Sequence, residues 1–119
     1  SARHWSARDW SARHWSAQYA WAVHETIARD LGFTDEMIEA IKSHRRPATA
    51  KPDEQLAYDA VTELLAGKVL RTATYDRLIK QFGLGTTIDL ISTAGLYSMA
   101  STVLNGFDVP TANGERPFG

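Results

Sequence analysis

The chain has 119 residues, of which 23% are charged and 44% hydrophobic, with a formal net charge of -1 and no cysteine. This balance predicts one soluble domain without an overall positive field to attract nucleic acid or membrane lipids. Disulfides, thiol nucleophiles and thiolate metal sites are excluded, and no apolar run reaches the roughly 18–20 residues of a membrane span. The first residues show no apolar signal-peptide core, so we expect a cytoplasmic protein.

Residues 1–15 are three near-identical units, SARHW, SARDW and SARHW, which we treat as a separate segment with a helix over about 2–14. Five residues advance a helix by about 140°, so the three tryptophans would spread around it. The segment could be a tryptophan-rich binder of membrane or nucleic acid, a helix packed in a subunit interface, or a duplication that replaced a different sequence. Three arginines and one aspartate leave a local charge of only +2, which disfavours the binder. The near identity of the units favours the duplication.

The segment 16–110 has apolar residues at helical spacing between clear stop signals, which predicts five further helices. Their expected bounds are 16–31, 34–45, 53–66, 72–82 and 86–105. Thr34 suits an N-cap and Gly83 a C-cap, and residues 111–119 read as a C-terminal loop. Few stretches alternate with period two, so the predicted fold class is all-α. The helix 86–105 is apolar or small nearly all round, which is typical of a helix that is buried or lies between subunits.

His24 is the histidine with the strongest case for a chemical role, because it lies in mid-helix on or near the apolar stripe. A lone histidine there is more often a satisfied core residue than a catalyst. Glu25 points about 100° away and is not a natural partner, whereas Asp89 or Tyr97 from another helix could orient the ring. His44, beside two arginines at a helix end, reads as a solvated cap residue. No two histidines have the i, i+4 spacing of a zinc helix, so no metal site is predicted.

The pattern RHWSAQYAWAVHE, followed by IARDLGFTDEMIEAI and YDAVTELLAGKVLRTATYDRLIKQFG, resembles the carboxymuconolactone decarboxylase family. This family belongs to the alkylhydroperoxidase D-like superfamily, and the resemblance covers about residues 12–110. It implies an alkylhydroperoxidase D-like helical bundle that assembles into trimers or hexamers. It also implies a cofactor-free lyase that decarboxylates a small carboxylated lactone in the bacterial breakdown of aromatic acids.

The resemblance also assigns roles to individual residues. His24 takes the place of the family's proton-transferring histidine and is the expected catalytic residue. Tyr19 could orient it or bind substrate, Trp21 would form an apolar wall, and Arg13 could bind a substrate carboxylate. We expect a small-molecule substrate and self-association, with no cofactor, no metal, and neither nucleic acid nor membrane as a partner.

Two departures from the family pattern limit this expectation. The peroxidase branch has cysteines where this chain has Ala17 and Ala20, so thiol peroxidase chemistry is excluded. The family usually has a glutamate nineteen residues before the histidine, at a position that is Trp5 here. The repeat therefore gives the chain an atypical N-terminus relative to the family. The alternative is a non-catalytic oligomeric helical protein that keeps the scaffold but lacks this glutamate.

Overall fold

The computed structural model describes residue 11 and residues 13–46, 51–67 and 69–118. This part of the chain is all-α, as predicted, and contains no strand. Its helices are α1 (Gln18–Asp30), α2 (Asp35–Lys42), α3 (Pro52–Gly67) and α4 (Thr72–Gly106). Most of the helix predicted over 2–14 lies outside the described residues, although Ser11, Arg13 and His14 are helical.

The first two helices are shorter than predicted, and the backbone shows why. Ser16 has a left-handed φ of 50°, so α1 begins at Gln18 rather than at residue 16. His44 has a φ of 57°, so α2 ends at Lys42 rather than at residue 45. The start of α2 agrees with the prediction, because the Thr34 side chain accepts a hydrogen bond from the Met37 N–H at 3.2 Å.

The last two helices follow the predicted pattern with one difference. Helix α3 begins at Pro52, a residue suited to the first helical turn, and has Asp53 and Glu54 near its positive end. Helix α4 runs through the expected gap between 72–82 and 86–105. The predicted break is nevertheless present at Gly83, whose φ of 78° and ψ of 171° are non-helical and are readily adopted only by glycine. The break divides α4 into two helical parts without an intervening loop.

The core lies where α4 packs against α3 and α1, with α2 beside α1. Its largest fully buried side chains are Trp21, Leu56, Leu78, Leu90 and Val61. Alanines in α1, α3 and α4 join this cluster and let the helices approach closely. The core therefore fixes the face of α1 that carries Trp21 and, one turn later, His24.

Two segments outside the helices complete the structure around α1. Ser11 is buried and its hydroxyl donates to the Ala94 carbonyl at 3.4 Å, so the N-terminal segment lies against α4. At the other end of the chain, the Phe118 N–H donates to the Gln18 side chain at 3.0 Å. The Phe118 ring packs against Trp21 with a centroid distance of 5.5 Å. The C-terminal tail thus returns across the start of α1.

Within the single chain, the outer side of α4 is open to solvent, so of the two predicted environments, burial and a position between subunits, burial within the chain is not found. A row of apolar side chains at helical spacing is exposed there: Leu84, Ile88, Leu96, Met99 and Val103. The single chain covers only the face that carries Leu78, Leu90 and Ala94. We call the exposed row the outer row of α4.

Candidate functional site

His24 lies on the inner side of α1, half-buried and in contact with α4. Its imidazole meets the ring of Tyr97 edge-on, with centroids 5.1 Å apart and an interplanar angle of 78°. The Nδ1 atom of His24 is buried. An edge-to-face contact restricts rotation of both rings, so the imidazole is held in one orientation. We call these two residues the His24–Tyr97 pair.

Tyr97 is one of the two residues that the sequence suggested as partners for His24. Asp89, the other, lies eight residues earlier on α4, which is about 12 Å along the helix axis. Its side chain is exposed. Glu25, next to His24 in sequence, points to the outside and forms an ion pair with Arg29 at 3.2 Å. Of the candidate partners, Tyr97 is the one whose ring contacts His24.

Trp21 is placed more deeply than a pocket wall would be, because only 1% of its surface is exposed. It lies one turn before His24 on the same side of α1, with Phe118 against its ring. Among the described residues, no acceptor pairs with its buried Nε1–H. A buried donor without a partner carries a desolvation cost of about 1–3 kcal/mol. Trp21 is thus a core residue, and the expectation that it forms the wall of a pocket is not met.

Tyr19 lies on the opposite side of α1 and is not brought together with His24. Its side chain is 40% exposed. It lines an open groove of about 570 Å³ between α1 and the C-terminal tail, together with Val23, Thr26 and Asn113. The spacing of five residues between Tyr19 and His24 turns the helix by about 140°, which explains the separation.

Arg13 is held in place by three contacts at the N-terminal side of α1. Its Nε donates to the Lys42 carbonyl at 2.6 Å, and its Nη1 donates to the Ser16 hydroxyl at 3.0 Å. Its guanidinium lies 4.4 Å from the centroid of the Phe118 ring, a cation–π contact. Phe118 in turn packs on Trp21, so Arg13 is linked to the His24 side of α1 through two aromatic rings.

Arg13 also lines a cavity of about 110 Å³ that the sequence did not predict. The other lining residues are His14, Ile41, His44, Tyr58, Thr62, Leu65 and Ala66. His44, predicted as a solvated cap, is exposed on one side but contributes to the cavity on the other. We call this space the Arg13–His44 cavity. The sequence shows basic residues in two separate stretches, RHW at 13–15 and HRR at 44–46. Neither stretch indicates that it meets the other in the folded chain.

The electrostatic environment of His44 reflects this position. Burial lowers the pKa of its imidazole from the usual 6.5, and the nearby charges of Arg13 and His14 lower it further. Both causes disfavour the protonated form. A negative charge placed in the cavity would act in the opposite direction.

The described residues form neither a metal-binding cluster nor a membrane-spanning helix. In the described part of the chain, no three side chains of the metal-binding types lie close enough to hold an ion. No described helix is both long enough and apolar enough to cross a bilayer. Trp5, the position where the resemblance expects a glutamate, lies outside the described residues.

Comparisons of the chain with protein-family models, with curated proteins and with solved structures found no match.

Proposed function

We propose that the protein is a cofactor-free lyase of the carboxymuconolactone decarboxylase type, with an alkylhydroperoxidase D-like fold, acting on a small carboxylated lactone. The observation that carries the proposal is the half-buried His24, whose ring meets Tyr97 edge-on. A general acid works best when its ring is oriented and partly shielded from water, and this contact and burial support that role for His24.

The chemistry requires one proton transfer. The bond between the lactone ring and its carboxylate breaks, carbon dioxide leaves, and the electron pair passes into the conjugated lactone carbonyl. Protonated His24 then delivers a proton to the resulting carbanion and is reprotonated from solvent. Arg13, whose guanidinium is positioned by Lys42 and Phe118, would bind the carboxylate that stays on the substrate, at the end of the molecule away from the carbon that His24 protonates. Tyr19, on the far side of α1, has no part in this step.

The test measures carbon dioxide release from 4-carboxymuconolactone by the full chain and by His24→Asn. A positioned acid contributes roughly 10²–10⁴-fold, so we expect His24→Asn to lose at least about 100-fold in kcat. Glu25→Gln is the matched control, since this neighbour points outward and pairs with Arg29. It should keep the unmodified rate. No release by the unmodified chain, or equal release by both variants, would overturn the proposal.

A second candidate function is favoured by the outer row of α4. The row exposes Leu84, Ile88, Leu96, Met99 and Val103 at spacings of three, four and eight residues, which places them along one face. A contiguous apolar face of this kind is typical of a subunit interface. We propose that copies of the chain associate through it, as a trimer or hexamer, whether or not the protein is a catalyst.

Sedimentation velocity tests this association directly. The unmodified chain should sediment as a trimer or hexamer, and Leu96→Glu should shift it towards the 13.2 kDa monomer. Glu36→Gln, on the exposed start of α2, is the control and should leave the mass unchanged. A monomeric unmodified chain would exclude the association.

A further inference from the structure

The Arg13–His44 cavity lies between three parts of the molecule that are distant in sequence. The N-terminal segment contributes Arg13 and His14, the turn after α2 contributes His44, and α3 contributes Tyr58 and Thr62. Neither His24 nor Tyr97 lines it. The cavity is thus separate from the proposed proton-transfer residue, and its chemistry can be considered independently.

The residues lining the cavity are cationic or hydrogen-bonding on one side and apolar on the other. Arg13 carries a permanent positive charge, His14 and His44 offer ring N–H donors, and none of the described carboxylates lines the space. Two nearby acidic residues of α3 are engaged elsewhere: Asp59 pairs with Arg46 at 3.0 Å, and Glu63 binds Arg71. Because no described carboxylate neutralises the Arg13 guanidinium inside the cavity, the cavity favours binding of an anion.

Arg13 is prepared to bind such an anion. Its Nε and Nη1 donate hydrogen bonds to the Lys42 carbonyl and the Ser16 hydroxyl. The guanidinium also lies over the Phe118 ring, and this contact helps to order it. Within the described residues, the Nη2 amino group makes no hydrogen bond. A guanidinium that is already ordered loses little conformational freedom when it binds a carboxylate.

The size of the cavity restricts the anion. A cavity of about 150 Å³ can hold benzene, and a water molecule occupies about 30 Å³ of liquid. The Arg13–His44 cavity has about 110 Å³. It therefore has room for a carboxylate group with two or three attached carbons, and its apolar residues Ile41 and Leu65 suit the hydrocarbon part.

We propose that the Arg13–His44 cavity binds the carboxylate of a small organic acid, with Arg13 supplying charge and His14, His44 and Tyr58 supplying hydrogen bonds. Its assignment as the substrate carboxylate site rests on the proposed function, but binding itself does not. This adds His14, His44 and Tyr58, which the sequence did not assign to substrate, to the role already expected of Arg13.

The test follows the histidine ring signals of the full chain by NMR during titration with sodium propionate, and in parallel with inorganic phosphate. Propionate should saturate shifts at His14 and His44, raise the pKa of His44, and leave His24 unchanged. His44→Gln should weaken propionate binding about tenfold, whereas the matched control Glu25→Gln, at a residue that pairs with Arg29 and does not line the cavity, should bind as the unmodified chain does. The measurement on the unmodified chain requires no variant to fold.

Three outcomes would overturn the proposal. These are no saturable shift with propionate, equal shifts at all histidines, or binding of phosphate without propionate, which would indicate a phosphate site. The outcomes also separate the two proposals. Saturable propionate binding by a chain that releases no carbon dioxide would support the cavity and reject the lyase. Carbon dioxide release without propionate binding at His44 would support the lyase and reject the cavity as a carboxylate site.

Discussion

The His24–Tyr97 pair and the Arg13–His44 cavity both depend on histidine, but they are built in different ways. The pair joins two helices through one aromatic contact and is backed by the core residue Trp21. The cavity is formed by three parts of the chain, namely the N-terminal segment, helix α3 and the turn that follows α2, and it contains the charged Arg13. Our two proposals assign these regions a division of labour, in which His24 would transfer a proton and the cavity would bind an anion.

The largest effect is expected at Trp21, because it connects the two regions. Trp21→Ala removes the ring that supports Phe118, on which Arg13 stacks, and empties the core beside His24. We expect the free energy of unfolding to fall by about 3–5 kcal/mol in urea denaturation. Trp21→Phe, which keeps an aromatic ring, should lose clearly less. If Trp21→Ala lost under about 1 kcal/mol, the two regions would not share this support.

Glu63 adjoins Thr62 of the cavity without lining it, and it provides a test of the contact between α3 and the start of α4. Its carboxylate accepts hydrogen bonds from the Arg71 N–H at 2.9 Å and from the Thr74 hydroxyl at 2.6 Å, at the start of α4. Burial alone would raise its pKa, but the hydrogen bonds from Arg71 and Thr74 outweigh burial and hold the pKa below 4.5. Hydrogen bonds to a charged group contribute about 1.5–3 kcal/mol, and screening at the exposed Arg71 lowers this contribution, so Glu63→Gln should lose about 1.5 kcal/mol at pH 7.

The stability lost in Glu63→Gln should be larger at neutral pH than in acid. Because the pKa of Glu63 is lower in the folded chain, its contribution is present above pH 4.5 and is lost as the pH falls through the folded value. Denaturation of the two proteins should thus differ at pH 7 and converge in strong acid. Histidine signals of both regions should be unchanged in Glu63→Gln. A stability difference independent of pH would contradict this account.

Thr34 is expected to give the smallest effect, confined to one region. It caps α2, whose far end leads into His44, and has no contact with His24. Thr34→Ala should lose about 1 kcal/mol, and Thr34→Ser should lose much less because it keeps the hydroxyl. NMR signals of His44 should change more than those of His24. Equal changes at both histidines would show that the regions are not independent.

The His24–Tyr97 pair could be predicted in part from the sequence, whereas the Arg13–His44 cavity could not. Helix α2 and the break at Gly83 follow from local signals, namely a capping threonine and a glycine suited to a positive φ. The inward placement of His24, and Tyr97 as a possible partner, followed from helical periodicity. The cavity could not be predicted, because Arg13 and His44 are 31 positions apart and meet only through tertiary packing.

The remaining differences have similar causes. Trp21 was expected to line a pocket, but periodicity places a side chain on a face and does not show how deeply it is buried. Tyr19 was grouped with His24 by proximity in sequence, whereas the helical turn separates them. The apolar character of α4 was evident, yet the part covered within one chain depended on the packing of α1 and α3.

The most direct test of the division of labour is a comparison of kcat and KM for carbon dioxide release by His24→Asn and His44→Gln. A residue that transfers the proton should lower kcat, and one that binds the carboxylate should raise KM. We expect His24→Asn to lose at least about 100-fold in kcat with KM nearly unchanged, and His44→Gln to raise KM about tenfold at nearly unchanged kcat. A fall in kcat for His44→Gln with none for His24→Asn would contradict the account.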